Sequence, residues 1–199
     1  MKPPILKKKR ESIKVHNTTI IDNYSWVHQK NILDVLSNPS KLDKEVNHYL
    51  IEENKYTDLF FLDTKKLQKK LFNEIKGRIK LADKSVIFKD KRFLYWTKTT
   101  EKGNYSIHLR KSLKTGKEEV IWNGDKEKVR FKSTYFGVGD LSVSFNDEIL
   151  GYSLDIKGSE YYSIYLRNLK TKKEYIAPIE NTNGSITFSY DSKYIFYTK

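Results

Sequence analysis

An N-terminal α-helical segment over residues 1–80, followed over 81–199 by a partial β-propeller, is the fold class that the sequence predicts. The propeller part reads as about two blades of four antiparallel strands plus the start of a third. Three observations carry this. Apolar residues recur every three or four positions before residue 80, and every two from Ser85 onward. Turn residues separate the later strands at short intervals, as in all-β proteins. Finally, the β part repeats itself: Tyr105-Ser106-Ile107 to Arg110 returns as Tyr162-Ser163-Ile164 to Arg167, 57 positions on. Tyr194-Ile195-Phe196-Tyr197-Thr198 opens a third copy, and repetition at this spacing with four strands per unit is the signature of propeller blades.

Taken in order, Asn31 to Leu36 predicts a short helix closed by Asn38-Pro39, because the residue before proline is pushed out of the α region. Ser40, with Asp43 three residues on, has the pattern of a helix start. Behind it Leu42, Val46, Tyr49, Leu50, Tyr56 and Leu59 make one apolar stripe. Thr64 reads as the cap of a further helix in which Leu67, Leu71, Ile75 and Ile79 are spaced by four. Two helices partly cover each other, yet Phe60-Phe61-Leu62 and Leu71-Phe72 leave more apolar surface than a pair hides. Gly77 to Lys84 is the hinge. The strands predicted beyond it are Ser85 to Phe88, Phe93 to Thr97, Ile107 to Leu109, Val120 to Trp122, Leu141 to Phe145, Ile149 to Ser153, Ser163 to Leu166 and Glu174-Tyr175-Ile176-Ala177. β-Branched and aromatic residues fill them, with Gly and Asp in the turns between.

Composition narrows the function. The chain has 199 residues, 38% of them apolar and 14% aromatic, which suffices for a core in one or two domains. No apolar run is long enough to span a membrane, and no apolar stretch follows basic Met1 to Arg10 as a secretory signal requires. Cysteine is absent, and a reducing, cytoplasmic setting is the expectation. The net charge of +13 raises a polyanion partner, but arginine stands at only six positions and the other 32 of 38 basic residues are lysines scattered among Glu and Asp. Only Lys7-Lys8-Lys9-Arg10 forms a run, so the expectation is a solvated lysine-rich surface with no specific nucleic acid and no membrane as partner.

These stretches carry a resemblance. Pro3-Pro4, His16 with Asp22-Asn23-Tyr24-Ser25-Trp26, and Tyr49-Leu50-Ile51-Glu52-Glu53-Asn54-Lys55-Tyr56-Thr57 occur in this order. Gly77-Arg78-Ile79-Lys80 with Asp83 and Ser85-Val86 follows, and Ile179-Glu180-Asn181-Thr182-Asn183-Gly184-Ser185 closes the series. The chain resembles the N-terminal part of prolyl-oligopeptidase-family serine peptidases, most of all the oligopeptidase B group. It departs from them at Ile87, where a proline is usual, and at Asn146-Asp147, where Ser-Pro-Asp is the tendency. The resemblance implies a seven-bladed propeller capping an α/β-hydrolase domain, short peptides as substrates, and cleavage after Arg or Lys. It also implies that the helical segment packs on the hydrolase domain, which would supply the cover that the stripes lack.

In that family the catalytic Ser, Asp and His belong to the hydrolase domain, which the resemblance places after the propeller and outside these residues. A nucleophile elbow needs Gly-x-Ser-x-Gly, a pattern that does not occur in this sequence, and Gly158-Ser159 and Gly184-Ser185 read as turns. His16, His28, His48 and His108 lack ligand spacing, and Gly137-Val138-Gly139 reads as a blade turn rather than a dinucleotide fingerprint. No residue is assigned a catalytic, cofactor-binding or metal-binding role, and no cofactor is expected. Tyr24 and Trp26 read as core aromatics, and Asp22 and Glu53 as capping or lysine-pairing groups. The expected partners are short basic peptides once a hydrolase domain completes the protein, including one supplied by a separately encoded C-terminal chain. The alternative is a stand-alone β-repeat module that binds another protein.

Overall fold

The computed structural model describes residues 2–175 and 177–199, which fall into two compact units, 1–79 and 80–199. The first unit begins with a β-hairpin, β1 (Glu11–Val15) and β2 (Thr18–Asp22), where the sequence pattern predicted helical structure throughout. Ser12-Ile13-Lys14-Val15 and Thr18-Thr19-Ile20-Ile21 are β-branched runs with His16 at the turn in left-handed backbone, φ 53°. They are too short for a periodicity test, and their pairing is what makes them strands. A 3-10 turn at Ser25–Val27 follows, and Trp26 Nε1 donates to Lys7 O at 2.9 Å while Lys9 Nζ lies 4.3 Å from the Trp26 ring centroid. Trp26 therefore holds the segment that precedes β1 but is only partly buried and belongs to neither core, and Tyr24 is exposed, so neither is the core aromatic expected.

Helix α1 (Ile32–Ser37) ends before Pro39 as proline geometry dictates. The next helix starts later than its sequence signal. Pro39–Lys41 forms a separate 3-10 turn in which Asn38 Oδ1 accepts from Ser40 N, and Leu42 is extended. The cap of α2 (Lys44–Phe60) is Asp43, whose Oδ1 accepts from Glu45 N at 2.9 Å and Val46 N at 3.1 Å. In α3 (Lys65–Gly77) Thr64 occupies the cap position, but its hydroxyl donates backward to Phe61 O and satisfies no helix amide. The apolar stripes face outward. α2 buries only Val46 and α3 buries nothing, with Leu67 55%, Leu71 46% and Ile75 61% exposed.

The second unit holds two four-stranded antiparallel sheets and a hairpin. The first sheet has the order β3 (Phe88–Asp90), β4 (Phe93–Lys98), β5 (Ile107–Ser112), β6 (Glu118–Asn123). Helix α4 (Gly124–Phe131) leads to the second, in which β7 (Gly137–Val143), β8 (Ile149–Asp155), β9 (Tyr162–Asn168) and β10 (Ile179–Thr182) are neighbours in sequence order. The hairpin β11 (Thr187–Phe188) and β12 (Ile195–Phe196) follows. Among the described residues the strands close no ring.

Several predicted elements move. The first strand starts at Phe88, with Lys84 making only an isolated bridge to Lys98. Gly137-Val138-Gly139 is not a turn. It opens β7 at a register shift between Val138 and Leu141, and a Cβ on Gly139 would lie 2.4 Å from Ser153 Oγ. The fourth strand of the second sheet is Ile179–Thr182, not residues 174–177, of which Ile176 lies outside the described residues and Glu174 makes only a bridge to Arg167.

Strand β8 explains how the layers stack. From Leu150 to Asp155 every residue is buried, because both faces of the strand are covered. Leu150, Tyr152 and Leu154 point into a core shared with Tyr95, Ile121, Trp122, Phe136 and Leu169. The alternate positions are small because the hairpin comes close: a Cβ on Gly151 would meet Ile186 at 3.1 Å and Phe188 at 3.2 Å. Ile164, Ile186 and Phe188 form the second core on that side. Large and small residues alternate along one strand, so a single period-two pattern holds two packed layers apart.

Candidate functional site

Two polar networks tie elements of the second unit together. The first surrounds Tyr152. Its hydroxyl accepts from Arg167 Nη2 and Arg130 Nη2, both at 2.8 Å, and donates to Glu174. Arg167 Nη1 donates to Glu127 Oε1 at 2.7 Å, and Arg167 Nη2 and Arg130 Nη1 reach Glu174 Oε1 at 3.0 and 2.9 Å. Arg130 Nε lies 2.9 Å from Glu127 Oε2, an ion-pair distance at an angle that makes no hydrogen bond.

Two arginines facing two glutamates balance the cluster, as burial demands. Burial pushes the Tyr152 hydroxyl far above its ordinary range, and the hydrogen bond to Glu174 adds to this. At Glu174 burial works against the charge, but the hydrogen bonds from Tyr152 and Arg167, with Arg130 beside them, outweigh it and hold the carboxyl below its ordinary value. Helix α4 supplies Glu127 and Arg130, so it staples itself to β8 and β9. No periodic pattern announced it: its eight residues hold only Val129 and Phe131 as large apolar side chains. Asn123 Oδ1 caps it at Lys126 N, Asp125 and Glu127 sit in its first turn, and Lys128 and Arg130 sit in its last, which suits the helix dipole at both ends.

The second feature surrounds Asp147, in left-handed backbone at φ 63° with its side chain only 1% exposed. Its Oδ2 accepts from Arg92 Nε at 2.9 Å and its carbonyl from Arg110 Nη1 at 2.7 Å. Arg110 also grips Glu119 at 2.7 Å, and Glu119 Oε2 accepts from Lys172 Nζ at 3.1 Å. The turns of both sheets are thus tied through Asp147. At Glu119 burial opposes the charge, and Arg110 and Lys172 overcome it to lower the pKa.

The histidines scatter. His16 is in a hairpin turn and His48 is on the exposed surface of α2. Among the described residues only His108 has a hydroxyl partner, with Nε2 3.0 Å from Ser106 Oγ, a pairing that sequence spacing did not reveal. Both residues lie at one end of the first sheet, and His108 meets the Trp122 ring edge-on at 5.5 Å between centroids. Burial lowers its pKa. No carboxylate hydrogen-bonds to His108 among the described residues, and Ser106 lies on no strand-to-helix turn, so the pair has the packing of a sheet position rather than of an activated nucleophile. Among the described residues no cluster of three His, Cys, Asp or Glu side chains could hold a metal ion. None of their helices is long and apolar enough to cross a membrane.

The predicted turn serines do occupy turns. Asp155 organises one by accepting from the amides of Lys157, Gly158 and Glu160 at 2.8–2.9 Å. The other is the corner between the second sheet and the hairpin. There Gly184 has φ 92°, Ser153 Oγ donates to Gly184 O at 2.7 Å, and Ile186 N donates to Asp140 Oδ2 at 3.0 Å. Asp22 caps Tyr24 N at 2.7 Å, and Glu53 accepts from Tyr49 on its own helix.

Consecutive four-stranded antiparallel sheets, each with its strands in sequence order, are the repeating unit from which β-propellers are built. The chain belongs to the prolyl oligopeptidase N-terminal β-propeller domain family, whose model matches residues 3–199. Among relatives, dipeptidyl aminopeptidase BI of Pseudoxanthomonas mexicana is 27% identical over 210 residues, covering 98% of this chain and 28% of that protein. Among solved structures, oligopeptidase B from Leishmania major has the same fold, with a TM-score of 0.80 at 22% identity over 98% of this chain and 29% of the other. Prolyl oligopeptidase B from Galerina marginata, bound to a 35mer hydrolysis and macrocyclization substrate, gives 0.70 at 14% identity, with the same shares covered. The chain therefore spans less than a third of the length of these proteins.

Proposed function

We propose that this chain is the non-catalytic, access-limiting portion of an oligopeptidase B-like serine peptidase that cuts short peptides after Arg or Lys. The observation that carries the reading is the family match across residues 3–199. The likeness of fold to an oligopeptidase B supports the particular group. In this reading the Ser, Asp and His of catalysis come from a hydrolase portion, in the same or a separate polypeptide, and these residues alone hydrolyse nothing. The exposed faces of α2 and α3 support it, since apolar stripes of this size need cover. A stand-alone binding module fits less well, because a propeller draws stability from blades that cover one another, and exposed strand edges invite aggregation.

One observation favours a second reading. The relative with 27% identity is named a dipeptidyl aminopeptidase, so removal of dipeptides from a free N-terminus competes with internal cleavage. Assays of the chain joined to its hydrolase portion separate the two. An N-blocked arginyl chromogenic substrate is turned over in the first reading, while a dipeptidyl substrate with a free amine is required in the second. Turnover of neither would refute both.

A further inference from the structure

Lysines that lie far apart in sequence gather at one mouth of the cleft between the two sheets. The cleft has a volume of about 980 Å³. Lys91 and Arg92 come from the β3–β4 turn, Lys114 and Lys117 from the β5–β6 turn, and Lys170 and Lys172 from the turn after β9, with Arg110 between them. Against these seven cations the lining holds three acids, Glu119, Asp147 and Glu148. The Lys172–Glu119 bridge at 3.1 Å spans the mouth, so the start of β6 and the turn after β9 face each other across it.

The acids are largely spoken for. Asp147 holds Arg92, and Glu119 holds Arg110 and Lys172. Among the described residues Lys114, Lys117 and Lys170 have no ion-pair partner, and all three are exposed. Like charges crowded at a cleft repel one another, and low-dielectric walls focus their field on the space between. The spare cations are lysines, not arginines. An ammonium acts as a compact point charge with rotatable donors, which suits the dense charge of a phosphate chain, whereas planar carboxylates are best met by guanidinium forks.

We propose that this mouth binds a compact, multiply charged phosphate anion through Lys114, Lys117 and Lys170, with the ion-paired turns as its frame. Isothermal titration of the 199-residue chain with inorganic tripolyphosphate tests it. One-to-one saturable binding is expected, weakening when sodium chloride rises from about 50 to about 200 mM as ions compete for the site. The Lys114→Glu/Lys117→Glu/Lys170→Glu variant should bind at least about tenfold more weakly while melting as the parent does. A control with the same change in net charge, Lys65→Glu/Lys69→Glu/Lys70→Glu, should keep full affinity. Adenosine triphosphate separates two sources of the same chemistry: equal binding points to the phosphates alone, tighter binding to a nucleotide. Absence of saturation would overturn the proposal. So would equal loss in the control variant, or tighter binding of hexaglutamate or of a single-stranded DNA than of tripolyphosphate.

Discussion

His108, Arg167 and Glu127 show how single side chains hold this fold. His108 is neutral and half-buried beside Trp122, and burial depresses its pKa below the ordinary 6.5. The unfolded chain therefore takes up a proton at higher pH than the folded one, so stability is intact above about 6.5 and declines as the pH falls toward the folded value. His108→Gln should flatten the dependence of melting temperature on pH below about 6.5, relative to the parent, and an unchanged slope would contradict the assignment. Glu119 and Glu174 add a second, more acidic window. Their folded pKa values lie below the ordinary 4.5, so the stability they contribute is present above that value and is lost as the pH falls through the folded pKa. Arg167→Ala removes the hydrogen-bonded partner of buried Glu127 and leaves it the Arg130 ion pair alone, and should cost roughly 1.5–3 kcal/mol in denaturant unfolding. Neither network was legible in the sequence. Arg167 and Glu127 are 40 positions apart, and only the packing of α4 on β9 brings them together.

Elements with a strong period were legible and short or composite ones were not. The alternation in β8 and the stripe of α3 stand out in the sequence, because one strand or one helix repeats its pattern over several turns or pleats. The β1–β2 hairpin and α4 escaped notice, since five-residue strands and an eight-residue helix carry too few repeats to reveal a period. The glycines at 137 and 139 misled for a different reason: glycine serves a turn and a bulge equally well. The β8 core has a measurable weight. Leu154→Ala should destabilise by roughly 2–5 kcal/mol in equilibrium unfolding, because the side chain is 1% exposed and its cavity is enclosed by two layers. On α3 the opposite holds. Leu67→Lys/Leu71→Lys/Ile75→Lys should shift the melting temperature by less than about 2 °C while reducing self-association in light scattering, since these side chains stabilise nothing within the described residues. A large fall in melting temperature would show that the stripe is covered after all.

At the scale of the whole molecule, division of labour is the theme. The second unit has a packed interior of two cores, yet Val86 at 89% and Phe88 at 59% stay exposed at and just before the edge strand β3 of its first sheet. The first unit offers α2 and α3 with uncovered apolar faces. Surfaces of this kind suit a part of a larger assembly, and the chain matches under a third of the length of its relatives. Family membership was legible because five short stretches occur in order, while substrate choice leaves no mark on these residues. The claim that bond cleavage is performed elsewhere is tested most directly by offering the purified chain a fluorophosphonate serine probe together with an arginyl chromogenic dipeptide. The expected result is no labelled serine and no release of chromophore. A stoichiometric label on one serine of this chain, with turnover that the label abolishes, would contradict the account.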